Sequence, residues 1–126
     1  MNFTINGKEY TLKFGMAFLN ELDEKYKMKM DGGIEFSMGM KFALPYLKAG
    51  NITALHNVLC AALKPKGVHP QAVEEELERI AEEDAEKDTD RIGELFEEVL
   101  EAMGKQPLLR KEFSQLEAAE KQAAKN

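Results

Sequence analysis

The residues most able to do chemistry in this chain are its two histidines and its single cysteine. His56 and Cys60 are four residues apart, so a helix would bring the imidazole and the thiol side by side, as in a zinc site. A structural zinc site needs four protein ligands, and neither His69 nor an acidic cluster follows at a suitable spacing. The pattern therefore favours a packed cysteine beside a histidine at its polar rim, and it predicts no metal and no cofactor.

Carboxylates are concentrated in residues 74–101, which hold three basic and fourteen acidic residues. No D-x-[DN]-x-[DN]-G calcium loop is present, and these acids lie on segments with helical apolar periodicity. Neither a phosphate-binding glycine loop nor a Ser-His-Asp set can be built from the other residues, so we predict no catalytic residues. The acidic segment is interpreted as a solvated helix face. Its alternative is a docking surface for a basic partner or for the positive segment of a neighbouring subunit.

Length, charge and cysteine content limit the class of protein further. A chain of 126 residues with 44% hydrophobic and 32% charged residues is expected to form one soluble domain. A net charge of −6 argues against nucleic acid as a partner. One cysteine suits a reducing cytosol, and neither a membrane-spanning run nor an export signal is visible. We therefore expect a cytoplasmic protein with no nucleic-acid or membrane partner.

A β-hairpin is predicted over residues 2–14, because Asn6-Gly7 separates two runs of alternating apolar and polar residues. The implied register pairs Phe3 with Tyr10, Ile5 with Lys8, and Met1 with Leu12. The large apolar side chains then share one face and must be covered by other elements. The open edges, marked by Thr4 and Thr11, are a candidate site of self-association, although packing against the core is the favoured interpretation.

Apolar residues recur with helical spacing through the rest of the chain. Helices are predicted at about 16–26, 37–49, 52–64, 70–86 and 90–103, and residues 25–33 are interpreted as a basic, methionine-bearing loop. The fold class is therefore α+β, mostly α, with an N-terminal β-hairpin packed on a bundle of about five or six helices. The globular domain is predicted to span 1–107, followed by a C-terminal helical tail over 108–126.

Two segments are candidate protein-binding surfaces. The tail has only three sizeable anchors, Leu109, Phe113 and Leu116, which would either contact a partner or pack a final helix on its own domain. The loop after the first helix carries Met28 and Met30. Methionine fills irregular cores and also serves adaptable binding surfaces, so both interpretations stay open for these residues.

Several segments, in this order, resemble the tail assembly chaperones of long-tailed phages and prophages of Gram-positive bacteria. They are INGKEY (5–10), FLNELD (18–23), GIEFSMG (33–39), LPYLKAGN (44–51) and LFEEVL (95–100). The resemblance extends over residues 1–110. It implies a non-catalytic cytoplasmic protein that self-associates and coats the tape measure protein before the tail tube polymerises.

The resemblance also implies that the tail tube protein is recruited, through a longer form made by ribosomal frameshifting. Such a chaperone is not expected in the mature virion. The alternative is a structural virion component, namely a connector or tube-associated subunit that stays in the finished particle.

Overall fold

The computed structural model describes residues 1–29, 35–37 and 39–125, and this part of the chain forms six α-helices and two β-hairpins. The strands are β1 Asn2–Ile5, β2 Lys8–Thr11, β3 Lys27–Lys29 and β4 Glu35–Ser37. The helices are α1 Met16–Lys25, α2 Gly39–Lys48, α3 Ile52–Leu63, α4 Pro70–Lys87, α5 Arg91–Gly104 and α6 Arg110–Lys125. The predicted α+β, mostly α class is confirmed. None of the described helices is long and apolar enough to cross a membrane.

The N-terminal hairpin has the predicted turn and register. Asn6 and Gly7 both have positive φ, of 50° and 77°, as a two-residue turn of this kind requires. Phe3 pairs with Tyr10 and Ile5 with Lys8, and the Leu12 N–H donates to the Met1 carbonyl at 3.0 Å. One face is buried in the core through Phe3, Ile5, Leu12 and Phe14. The alternation of the sequence therefore fixes which side of the ribbon faces the helices.

The outward face of this hairpin carries a chain of polar contacts. The Thr11 hydroxyl donates to Asn2 Oδ1 at 2.8 Å, and Asn2 Nδ2 donates to Glu9 Oε1 at 2.8 Å. Just beyond β2, the Lys13 N–H donates to the Ala62 carbonyl at 3.1 Å. The hairpin is thus tied to α3 through its backbone as well as through its apolar face.

The prediction of a loop over residues 25–33 is wrong for Lys25, which ends α1, and for Lys27–Lys29, which form β3, whereas residues 30–33 lie outside the described residues. Lys27–Lys29 pairs with Glu35–Ser37 in antiparallel register. Strands of three residues are too short to show an alternating sequence pattern. Such strands are recognised only from their pairing in the structure. Because Glu35–Ser37 belongs to a strand, the second helix begins at Gly39 rather than near Ser37.

The core is built around α3, which packs against α1, α2 and α4. Eight of its twelve residues are buried, so this helix is apolar on most sides rather than along one stripe. Asn51 caps its N-terminus by accepting the Ala54 N–H at 2.9 Å.

The junction between α4 and α5 is held by the Asp84 carboxylate. It accepts the Thr89 hydroxyl at 2.7 Å, the Arg91 N–H at 2.8 Å and the Ile92 N–H at 3.0 Å. The hydrogen bond from the Ile92 N–H contributes most, and together with those from Arg91 and Thr89 it holds the pKa of Asp84 below its ordinary value of 3.8. The charged form of Asp84 therefore stabilises the start of α5.

Asp84→Asn is expected to lower the melting temperature at neutral pH. Because folding lowers the pKa of Asp84, its contribution is present above the ordinary value and is lost as the pH falls through the folded value. The difference in melting temperature between wild type and variant should therefore shrink on acidification. Asp88→Asn is the control, since Asp88 has a left-handed conformation that asparagine also adopts. A difference that stays constant down to acidic pH would contradict the prediction.

Candidate partner-binding surfaces

The predicted C-terminal anchors pack on the chain's own domain. Leu109 is fully buried in the core, and Phe113 and Leu116 are half-buried against it. Helix α6 lies against α2. Of the two interpretations of this segment, the structure therefore has the final helix packed on its own domain. Binding of a partner by these three residues stays a prediction, and the structure leaves only Phe113 and Leu116 partly accessible for it.

The other predicted contact residues lie elsewhere. Met28 is on β3 and pairs with Phe36, whereas Met30 lies outside the described residues. Thr4 and Thr11 are both exposed on the outward face of the N-terminal hairpin, on different strands. Their roles as a partner surface and as a self-association edge stay predictions.

A groove lined by both apolar and polar side chains lies where α1, α2 and α6 meet. We call it the methionine groove and define it by Met16, Leu19, Met40, Leu44 and Leu116. It consists of two adjoining pockets of about 300 and 240 Å³ that share Met40, Lys41 and Glu112. Met16 is 60% exposed at the start of α1. Met40 and Leu44 are buried, so the accessible apolar surface of this groove consists of Met16, Leu19 and Leu116. A flexible, exposed methionine such as Met16 can adapt to apolar partners of different shape.

A second apolar groove of about 610 Å³ lies between the starts of α3 and α5 and the middle of α4. We call it the acid-rimmed groove. Its apolar wall is formed by Ile52, Leu77, Ala81 and Ile92, and its rim by Glu74 and Glu78. Ile52 is 48% exposed. The two glutamates are one helical turn apart, so their charges border the apolar wall together.

A polar cleft of about 570 Å³ lies beside β1 and α4, and its charges are paired with one another. The buried carboxylate of Glu76 accepts Arg79 Nη2 at 2.6 Å, and both of its oxygens lie 3.2 Å from Arg79 Nε. Arg79 also donates to Glu83 at 2.8 Å. These hydrogen bonds raise the pKa of Arg79, which therefore stays charged. The cleft is a structural ion-pair network that compensates a buried carboxylate.

The His56 and Cys60 side chains do meet, as their spacing predicts. Cys60 Sγ lies 3.4 Å from His56 Nε2, which is also 3.1 Å from the Pro70 carbonyl oxygen. Burial raises the pKa of the Cys60 thiol and so disfavours the nucleophilic thiolate. Among the residues with described positions, no group of three or more His, Cys, Asp or Glu side chains is placed to hold a metal ion.

The fold and its surfaces define a mostly helical domain with two grooves to which apolar side chains contribute. Residues 2–117 match the family described as phage tail assembly chaperone protein, TAC, and the chain belongs to that family. A comparison with curated proteins found no match, and neither did a comparison with solved structures. The resemblance to tail assembly chaperones drawn from the sequence is confirmed, whereas the Gram-positive host stays a prediction.

Proposed function

We propose that this chain is a non-catalytic chaperone that coats the tape measure protein in the cytoplasm of the bacterial host. In this role it keeps the tape measure protein soluble until the tail tube forms. The observation that carries the proposal is the family match over residues 2–117, which covers both hairpins and most of the helical domain. Several copies act along one tape measure protein, and a longer form of the chain recruits the tail tube protein.

The methionine groove is the surface that we assign to the tape measure protein. A long helical protein with exposed apolar stripes aggregates unless those stripes are covered. An amphipathic helix binds by laying its apolar side chains into a groove, and the exposed, flexible Met16 side chain can adapt to different apolar side chains. Met16 and Leu19 on α1 and Leu116 on α6 are partly or largely exposed and would give such a helix apolar contacts from two helices.

Co-expression with the tape measure protein of the same gene cluster tests this function. We expect the chain to move the tape measure protein from the insoluble to the soluble fraction. Met16→Glu should reduce this effect, because it places a charge in the groove at an exposed position that the fold does not depend on. Ala17→Glu is the matched control, since Ala17 is exposed on the same helix but does not line the groove.

The outcomes of that experiment separate the function from the surface. Unchanged solubility of the tape measure protein with the wild-type chain would contradict the chaperone function. A Met16→Glu variant that acts like wild type would instead exclude the methionine groove as the contact. Mass spectrometry of purified particles distinguishes the structural alternative, because a chaperone is absent from the finished particle and a connector is present in many copies.

A further inference from the structure

We propose that helix α6 is a movable wall of the methionine groove and swings outward to admit an amphipathic helix of the tape measure protein. The incoming helix then rests on the surface of α2 that α6 covers, between α1 and the displaced α6. This inference rests on the proposed function, because it says how the groove assigned to the tape measure protein opens.

The groove is closed over its own floor. Met40 and Leu44 on α2 form this floor, and they are only 5% and 1% exposed. Accessible apolar surface comes from the walls, through Met16, Leu19 and Leu116. A helix with its side chains is about 10–12 Å across, whereas the two pockets hold about 300 and 240 Å³. A partner helix therefore touches only the walls unless one of them moves.

Helix α6 is the wall that the domain holds less firmly. It rests mainly on α2 and on the preceding turn, Pro107–Leu109. Its described apolar anchors are Phe113 and Leu116, and both are only half-buried. No side chain in residues 110–118 forms a hydrogen bond or an ion pair with another described residue. A helix with so few buried contacts opens at a lower free energy than the rest of the domain.

The start of α6 and the opposite wall stay in place during this movement. Leu109, just before the helix, is fully buried and anchors the preceding turn, so α6 swings about this point. On the opposite wall, α1 buries Phe18 and Leu22 completely. The movement therefore carries Phe113 and Leu116 away from the core, while α1 and α2 stay packed on α3.

Helix α6 itself shows which kind of segment the covered surface accepts. It is seated on α2 by apolar side chains three residues apart, Phe113 and Leu116, and Glu112 lies beside them. Lys41 on α2 and Glu112 line both pockets. When α6 moves outward, Glu112 leaves and Lys41 stays, so an acidic side chain is favoured in the incoming helix. The fitting occupant is an amphipathic helix with apolar residues at such a spacing and an acidic residue next to them.

Thiol labelling of the purified chain tests the opening without any partner. Leu44→Cys places a thiol on the covered floor, and the native Cys60 on α3 is the reference in the same molecule. Both positions are buried, so each thiol reacts with iodoacetamide only when the structure opens around it. We expect position 44 to react at least about tenfold faster than Cys60, because α6 opens more often than the core unfolds. Mass spectrometry of the digested chain measures the two sites separately.

A substitution in α6 links this labelling to the proposed movement. Phe113→Ser removes a half-buried aromatic contact of α6 and should speed the labelling of position 44 by about fivefold. Glu117→Ser is the matched control, at an exposed position of the same helix that does not line the groove, and it should leave the rate unchanged.

Co-expression with the tape measure protein tests the occupant. A chain in which α6 leaves the floor more readily has a larger fraction of open groove and so a higher apparent affinity for the incoming helix. At a limiting level of the chain, Phe113→Ser should therefore solubilise more tape measure protein than wild type does. If Phe113 were instead a contact of the partner, the same substitution would solubilise less.

Three results would overturn the proposal: equal labelling of position 44 and Cys60, no effect of Phe113→Ser on labelling, or no gain in solubilised tape measure protein from Phe113→Ser. Labelling of position 44 that slows as the chain concentration rises would show that a second copy covers α2, and it would overturn the proposed occupant. A wild-type chain that opens but solubilises no tape measure protein would contradict the chaperone function and with it the occupant, whereas the movement of α6 would stand. The two failures are therefore distinguishable.

Discussion

Leu109→Ala is expected to lower the free energy of unfolding by about 2–5 kcal/mol, as for other leucines removed from a well-packed core. The Leu109 side chain is fully buried, where the turn Pro107–Leu109 packs against α5 and α6. Removing its branched end leaves a cavity that the neighbouring helices cannot fill without shifting. Urea unfolding followed by circular dichroism measures the loss, at a protein concentration low enough to keep copies apart.

The adjacent leucine provides a matched control. Leu108 is 49% exposed, so Leu108→Ala should change the free energy of unfolding by less than about 0.5 kcal/mol. If instead Leu109→Ala left the stability unchanged, Leu109 would not anchor the C-terminal segment to the domain. A contact with a partner, as predicted for Phe113 and Leu116, would then be the better interpretation of Leu109 as well.

Elements with strong local signals were predictable from the sequence. The Asn6-Gly7 turn requires two positive φ values, and the alternation on both sides of it sets the register, so the first hairpin has the predicted pairs. Helix α5 repeats its apolar residues every 3.6 positions and is amphipathic with Leu95, Val99 and Met103 buried. In both cases the information lies within a few residues of the element itself.

The second hairpin and the inward position of Glu76 were not predicted, for different reasons. Strands β3 and β4 have three residues each, so their pairing depends on contacts that no local pattern records. Glu76, in contrast, lies in the helical stripe that contains Val73, Leu77 and Ile80. The period alone would have placed it inside, but a carboxylate is rarely buried unless a partner such as Arg79 is available.

The grooves could not be predicted because they combine residues that are distant in the sequence. Met16, Met40 and Leu116 come from three helices, and only the packing of α1, α2 and α6 brings them to one groove. The acid-rimmed groove similarly needs the starts of α3 and α5 beside α4. The sequence did show the charge of residues 74–101 and the opposite charge of the segment that follows.

Gly39→Ala is expected to destabilise the domain, because α1 and α2 approach each other too closely at this position for a methyl group. A Cβ at Gly39 would lie 2.6 Å from Asp23 Oδ1, 2.8 Å from Asp23 N and 2.9 Å from the Leu22 carbonyl carbon. Two of these three atoms are backbone, so the clash is relieved only by moving α1. The Asp23 side chain is also held there, since it accepts the Gly39 N–H at 3.0 Å.

The expected cost is about 1–3 kcal/mol in the free energy of unfolding, as for overpacking elsewhere in cores. Gly39 has no positive φ, so the cost is steric rather than conformational. Gly104→Ala is the matched control: its Cβ would lie 3.7 Å from Phe113 Cε1, and this variant should be unchanged or stabilised by up to about 1 kcal/mol.

The same substitution connects the packing to the proposed chaperone function. Moving α1 away from α2 would also separate Met16 and Leu19 from Met40, which line the same part of the methionine groove. Gly39→Ala should therefore solubilise less tape measure protein than Gly104→Ala at a temperature where both variants are folded. A Gly39→Ala variant as stable as wild type would show that the two helices can separate at no cost, and it would contradict the steric argument on which this prediction depends.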